Sequence, residues 1–289
     1  MSLLQSLFLG FVQGVTEFLP VSSSGHLAIF KNFFGMGDVG MAFDILLHLG
    51  TLIAVFVVYW KDIVKIFFNG IEIIVDVCYN VTVYFKRRKG EKIRYRRIIN
   101  TAYRKFALLV IVSTIPTGLI AVLTKNITEA VGKSLIVPGI CLLITGVLLL
   151  ICDLLPGGSK TPKGTTYGNA LFIGAVQGIA TLPGISRSGS TITAAVACGL
   201  RRDFAVKYSF IMSIPAILGA VVLDIPDLAH EATGLGQMMN YFAGTIVAGV
   251  VGYICIKTML VIVKNKKFNY FAYYCFIIGI ISIIGYFVI

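Results

Sequence analysis

Six apolar runs in the chain are each long enough to cross a hydrocarbon core, which takes roughly 17 to 25 residues. They cover 42–60, 106–123, 135–152, 204–223, 241–263 and 270–289. Between the first two, residues 63–85 set Lys65, Glu72, Asp76 and Asn80 into an apolar background. That pattern suits an amphipathic helix lying on the membrane surface better than a span. Two further apolar regions, 3–35 and 168–200, are interrupted halfway. The first breaks at Pro20-Val21-Ser22-Ser23-Ser24-Gly25-His26 and the second at Pro183-Gly184-Ile185-Ser186-Arg187-Ser188-Gly189. The halves are too short to span. An unpaired backbone group in lipid costs several kcal/mol, so such a turn survives only inside protein or beside a water-filled cavity. The pattern predicts an all-α polytopic membrane protein with six transmembrane helices and two re-entrant helical hairpins.

The two hairpins are copies. Residues 10–25 laid over 174–189 at a constant offset of 164 give seven identities in sixteen positions, including Gln13/Gln177, Ser22/Ser186, Ser24/Ser188 and Gly25/Gly189. The chain thus divides into repeats 1–155 and 156–289, each a hairpin followed by three spans. Three is odd, so the second repeat enters the membrane upside down. Inverted repeats with broken helices place their site near the midplane, where the turns meet.

Charge supports this threading. Only 13% of residues are charged and 57% are hydrophobic, against roughly 25% charged in soluble domains. Of the net +12, residues 86–105 supply ten basic side chains against Glu91. A segment so basic stays cytoplasmic, beside anionic headgroups rather than nucleic acid, which makes 61–105 a cytoplasmic loop. Counting onward, 124–134 lies outside, and 153–203, with Lys160, Lys163, Arg201 and Arg202, lies inside. Residues 224–240, with Asp224, Asp227 and Glu231, lie outside, and Lys264, Lys266 and Lys267 return inside. Both termini are then outside. The N-terminus has no basic leader and carries Glu17, so no cleaved signal peptide is expected. The six cysteines show no metal-ligand spacing and read as small buried hydrophobes.

The second turn reads as an anion cradle. Arg187 offers a fork that matches phosphate, and backbone N–H groups beside Gly189 meet a helix N-terminus. Ser186, Ser188 and Thr191 add hydroxyls. Snorkelling of Arg187 to the cytoplasmic surface is the bland alternative. The first turn is complementary. Gln13 and Glu17 share a helix face, and an intramembrane carboxylate is a functional candidate that could pair with Arg187, hold a divalent cation or act as a base. Ser22, Ser23 and Ser24 are candidate nucleophiles or helix caps, Gly25 opens the next helix, and His26 is a titratable neighbour. Asp44 and His48 either line the cavity or satisfy one another. Lys207 and Lys257 are expected to snorkel. This inventory suits phosphoryl chemistry on an amphiphile, with apolar walls for the lipid tail.

The segment Gln13-Gly14-Val15-Thr16-Glu17-Phe18-Leu19-Pro20-Val21-Ser22-Ser23-Ser24-Gly25-His26, with the later Pro183–Gly189 turn and Phe43-Asp44, closely resembles the undecaprenyl-diphosphate phosphatases linked to bacitracin resistance. The similarity runs over nearly the whole chain. It implies hydrolysis of the terminal phosphate of a polyprenyl diphosphate, which recycles the lipid carrier of bacterial cell-wall peptidoglycan. It also implies a multi-pass plasma-membrane enzyme whose site opens to the outer face, with Mg²⁺ or Ca²⁺ as cofactor. The family's acidic element falls on Gln13 and Glu17, which become the expected metal ligands. Its serine and histidine fall on Ser23 and His26, and its phosphate-binding arginine on Arg187. Glutamine at position 13 leaves one carboxylate where the family pattern has two. Ser23 is the first choice of nucleophile and His26 the second. Chain-length preference, the metal and a homodimer stay open. Two alternatives compete. One is a transporter or flippase of a lipid phosphate or small anion, on the strength of the inverted repeat. The other is a type 2 phosphatidic-acid phosphatase, disfavoured because the only histidine after Arg187 is His230.

Overall fold

The computed structural model describes residues 1–35, 40–132, 134–228, 234–264 and 267–288; His230, Glu231 and Lys266 lie outside them. Among the described residues ten α-helices follow one another: α1 (Leu3–Phe18), α2 (Ser23–Phe33), α3 (Met41–Arg88), α4 (Ala102–Gly132), α5 (Ile136–Leu154), α6 (Tyr167–Ile179), α7 (Arg187–Ala197), α8 (Arg202–Leu228), α9 (Leu235–Lys264) and α10 (Asn269–Val288). Among the described residues there is no β-strand, and one isolated bridge joins Lys160 to Leu200. Six of these helices, α3, α4, α5, α8, α9 and α10, are, among the described residues, long and apolar enough to cross a membrane, matching the six runs read from the sequence. Their outward faces carry exposed large side chains at helical spacing, such as Ile115, Leu119 and Val122 on α4 and Ile246, Val250 and Ile254 on α9. Apolar side chains in that arrangement need lipid, not water, around them.

The interrupted regions fold as short helix pairs. At 16, 11, 13 and 11 residues, α1, α2, α6 and α7 each fall short of the roughly 20 needed to cross. Both α1 and α6 open with a capping box, Ser2 with Gln5 and Thr166 with Asn169, which satisfies their first free N–H groups. The glycines at 10, 14, 174 and 178 then decide the packing. α1 lies on α9 so closely that a Cβ on Gly10 would sit 2.2 Å from the Gly244 carbonyl oxygen. α6 lies on α4 equally closely, with 2.0 Å between a Cβ on Gly174 and the Ser113 oxygen. Close backbone approach through small residues is how helices gain van der Waals contact where lipid supplies no hydrophobic drive. The sequence-equivalent pairs, α1 on α9 and α6 on α4, exchange partners between repeats, while α5 packs on α10.

Two readings need adjusting. Residues 61–88 are not a loop. They continue α3, whose helical backbone is interrupted at Tyr59 alone (φ −105°, ψ 18°). Nothing in the sequence after Trp60 breaks a helix, so hydrogen bonding carries on past the end of the span. The helices after the turns also begin earlier than read, at Ser23 and Arg187, because Ser22 and Ser186 take the N-cap positions.

Candidate active site

The two serine turns are built alike. Ser22 Oγ accepts the Gly25 N–H at 3.3 Å, and Ser186 Oγ accepts the Gly189 N–H at 3.1 Å. In each turn a second serine lies beside the cap, Ser24 at 3.4 Å and Ser188 at 3.3 Å. The caps turn the chain so that Ser23 and Arg187, which share one position in the repeat, become the first residues of α2 and α7. Ser22 does this at φ 69°, a left-handed conformation that costs a non-glycine residue about 1–3 kcal/mol and clusters at functional sites. Thr145 of α5 braces the other turn, donating to the Gly184 oxygen at 2.9 Å and accepting the Ser186 N–H at 3.0 Å.

The turns touch. A Cβ on Gly25 would lie 2.8 Å from Gly184 Cα, and one on Gly189 would lie 3.2 Å from Pro20 Cβ. This contact brings Arg187 of one repeat onto Glu17 of the other. The Glu17 side chain is only 2% exposed. Its Oε1 pairs with Arg187, and its Oε2 accepts both the Ser23 hydroxyl at 2.6 Å and the Gln13 amide at 2.9 Å. Gln13 Oε1 and its repeat partner Gln177 Oε1 are both buried without a hydrogen-bond partner.

Above this cluster opens a cavity of about 380 Å³, whose polar wall includes Glu17, Ser22, Ser23, Ser24, Ser186 and Arg187. Ile45, Ile185, Ile217 and Val221 form an apolar wall, and Asp44, His48, Thr181 and Asp224 are also among the lining residues. The N-termini of α2 and α7 therefore both end at the cavity, where free backbone N–H groups favour an anion. The other expected site residues lie behind it. Gly25, Ser188 and Gly189 shape the turns, and Thr191 is buried under α7, bonded to Ser209 Oγ at 2.6 Å.

The histidines divide. His26 is buried away from the cavity, facing a separate apolar groove with Phe30, Phe33 and Ile278. Its Nδ1 donates to the Ser22 carbonyl at 2.8 Å, and its Nε2 accepts the Tyr274 hydroxyl at 2.8 Å. His48 lines the cavity with Nδ1 donating to the Asp44 carbonyl at 2.8 Å. The Asp44 carboxylate is held instead by Lys31 at 2.7 Å, which settles the pair left open by the sequence. Lys207, expected to snorkel, is bonded to Asp62 at 2.9 Å, and Lys257 lies over the Tyr253 ring. Tyr274 and Thr145 gave no signal in sequence, being contacts between distant segments. Gln177 was already marked by the overlay, as the partner of Gln13, whereas Thr181, in register with Glu17, was missed because the two residues differ.

The family model described as bacitracin resistance protein BacA matches residues 6–281. The undecaprenyl-diphosphatase of Desulforapulum autotrophicum is 40% identical over 290 residues, covering all of both chains. Those of Alkaliphilus metalliredigens and Methanosphaera stadtmanae are 40% and 39% identical, each with 98% of both chains covered. With its two motifs in contact at one cavity and its whole length matched, the chain belongs to the bacitracin resistance protein BacA family.

Proposed function

We propose that the protein is an undecaprenyl-diphosphate phosphatase, releasing inorganic phosphate and undecaprenyl phosphate. The observation that carries this reading is the Ser23–Glu17–Arg187 cluster: a hydroxyl 2.6 Å from a buried carboxylate, beside a guanidinium, at the floor of one cavity. In the free site Arg187 is engaged by Glu17. A diphosphate competes for that guanidinium, whose planar fork matches its oxygens. As Arg187 turns to the terminal phosphate, Glu17 is left to accept the Ser23 proton while Oγ attacks phosphorus. The bond from that phosphorus to the bridging oxygen breaks and undecaprenyl phosphate leaves. Water then attacks the phosphoserine, freeing phosphate and restoring the hydroxyl. Arg187 and the two helix N-termini stabilise the charge that develops on the phosphoryl oxygens. His48, whose Nδ1–H is committed to a carbonyl, presents Nε2 as the proton carrier for the departing oxygen or the attacking water. His26 is a positioning residue that fixes the Ser22 carbonyl and hence the strained turn.

In this reading the six spans cross the plasma membrane, the helix pairs α1–α2 and α6–α7 re-enter it, and the repeats are inverted. The short helices, the touching turns and the exchanged pairings α1–α9 and α6–α4 support that arrangement. The cavity opens outward, because its lining residues Met41, Asp44, Val221 and Asp224 stand at span ends remote in sequence from the basic 86–105 segment.

Gln13 and Glu17 do not make a resident cage for Mg²⁺ or Ca²⁺. Both Glu17 oxygens are engaged, and among the described residues no three His, Cys, Asp or Glu side chains converge. Gln13 Oε1 is one orphaned oxygen where such cations take roughly six. The proposed steps run on Glu17, Ser23, Arg187 and His48. The test is incubation of the purified protein with undecaprenyl diphosphate in detergent. One phosphate released per lipid, with undecaprenyl phosphate left behind, is the expected result. Release of diphosphate, or none, overturns the proposal.

A further inference from the structure

The second half of α3 plays no part in this chemistry. Residues 61–88 run about 40 Å at a rise of 1.5 Å per residue, and one face of them is engaged by the chain that follows. The segment 92–101 returns along that face as a strap. Asn80 donates to the Arg96 carbonyl and accepts its N–H, both at 2.8 Å, and Asn69 accepts the Thr101 hydroxyl at 2.9 Å. Asp76 holds Arg104 at 2.6 Å and Arg96 at 3.2 Å, and Glu72 holds Arg104 at 2.9 Å. Arg96 also lies over the Tyr79 ring at 4.1 Å. Ile73 and Val83 are buried on this side.

The opposite face is bare. Phe67, Ile71, Ile74, Val81 and Phe85 follow i, i+3, i+4 spacing and are each between 43% and 63% exposed. Cys78, also exposed, completes the row. The stripe continues Ile53, Val57 and Trp60, the outward row of the spanning half, which faces lipid. At its far end Lys86, Arg87, Arg88, Lys89, Lys92 and Arg94 are exposed, and no ion pair among the described residues engages them. The strap has therefore neutralised Asp76 and Glu72 internally and left the outside cationic. A monomer does not expose an apolar row of this length to water without a use for it.

We infer that residues 61–101 form a membrane-surface module. The apolar stripe of α3 lies in the headgroup–acyl boundary of the cytoplasmic leaflet, and the basic end binds anionic lipid headgroups. An interfacial helix of this kind combines buried apolar area with headgroup charge, and each basic side chain near the surface raises affinity for an anionic leaflet about fivefold. The bend at Tyr59 sits where a helix leaving the bilayer must change direction to follow its surface.

The full chain in lipid nanodiscs tests this without reference to catalysis. Trp60 is the one tryptophan, so Trp60→Phe with Ile74→Trp places a single indole in the stripe. Neither residue lines the cavity, and phosphate release with a monodisperse elution profile serves as the check on folding. With acyl chains brominated near the headgroup, emission should be blue-shifted and quenched about twofold or more. Quenching should be stronger with phosphatidylglycerol than with phosphatidylcholine alone, and Lys86→Glu/Arg87→Glu/Arg88→Glu should abolish that difference. Water-like, unquenched emission overturns the inference. So does a shielded, unquenched indole in discs holding two copies, since a second chain would then cover the stripe. Equal quenching in both lipids overturns the anionic component.

Discussion

Replacing Arg187 tests both the chemistry and the packing of the two turns. In Arg187→Ala the transferring phosphate loses its guanidinium, a contact strengthened as charge develops. Removal of one such donor costs roughly 10²–10³ in kcat, or about 3–4 kcal/mol. The same change strands Glu17, whose side chain is 2% exposed, with only neutral donors. Breaking a fully buried pair costs about 3–5 kcal/mol. Arg187 is 24% exposed to the cavity, so screening brings the figure to about 2 kcal/mol. Glu17→Gln in the Arg187→Ala background removes the stranded charge and should restore most of the lost stability while leaving the enzyme inactive. Arg187→Lys keeps the charge but not the fork and should fall between wild type and alanine. Phosphate release from undecaprenyl diphosphate and thermal unfolding in detergent measure the two quantities separately. Arg187→Ala within threefold of wild-type kcat/KM would refute the role of the guanidinium. A double variant no more stable than Arg187→Ala would refute the stranded-charge argument.

Ser23→Ala should lose at least about 10³ in kcat, in the range of removing a covalent nucleophile, with substrate still bound; acid-quenched wild type should carry phosphoserine, and turnover by the alanine variant would transfer the role elsewhere. His48→Gln should cost about 10²-fold or more in kcat, whereas His26→Gln should show its larger effect in thermal stability; the reverse pattern would reassign the proton carrier. Gly174→Val should prevent stable folding, because its Cβ would meet the Ser113 carbonyl oxygen at 2.0 Å and overpacking costs about 1–3 kcal/mol even where neighbours can shift; an unchanged melting temperature would mean that α6 and α4 do not meet there.

The amino-acid sequence determined the parts whose physics is local. Span length and apolarity fixed six crossings. The serine caps, the glycines and the offset of 164 marked two like turns, and Glu17, Ser23 and Arg187 stood out as costly or reactive groups in an apolar setting. Contacts between distant segments were beyond that reach. Whether Arg187 meets Glu17 depends on Gly25 and Gly184 touching across 159 positions, which no local periodicity encodes. The two histidines looked alike in sequence, each four residues from a polar partner. Only the packing of α10, which brings Tyr274 onto His26, and the inward face of α3, which carries His48, assigned one to support and the other to the cavity. The two faces of the second half of α3 were likewise told apart only in three dimensions. Residues 63–85 read as a polar-flecked apolar segment, and it took Arg104 and the returning strap to show which of its faces is satisfied and which still needs a partner.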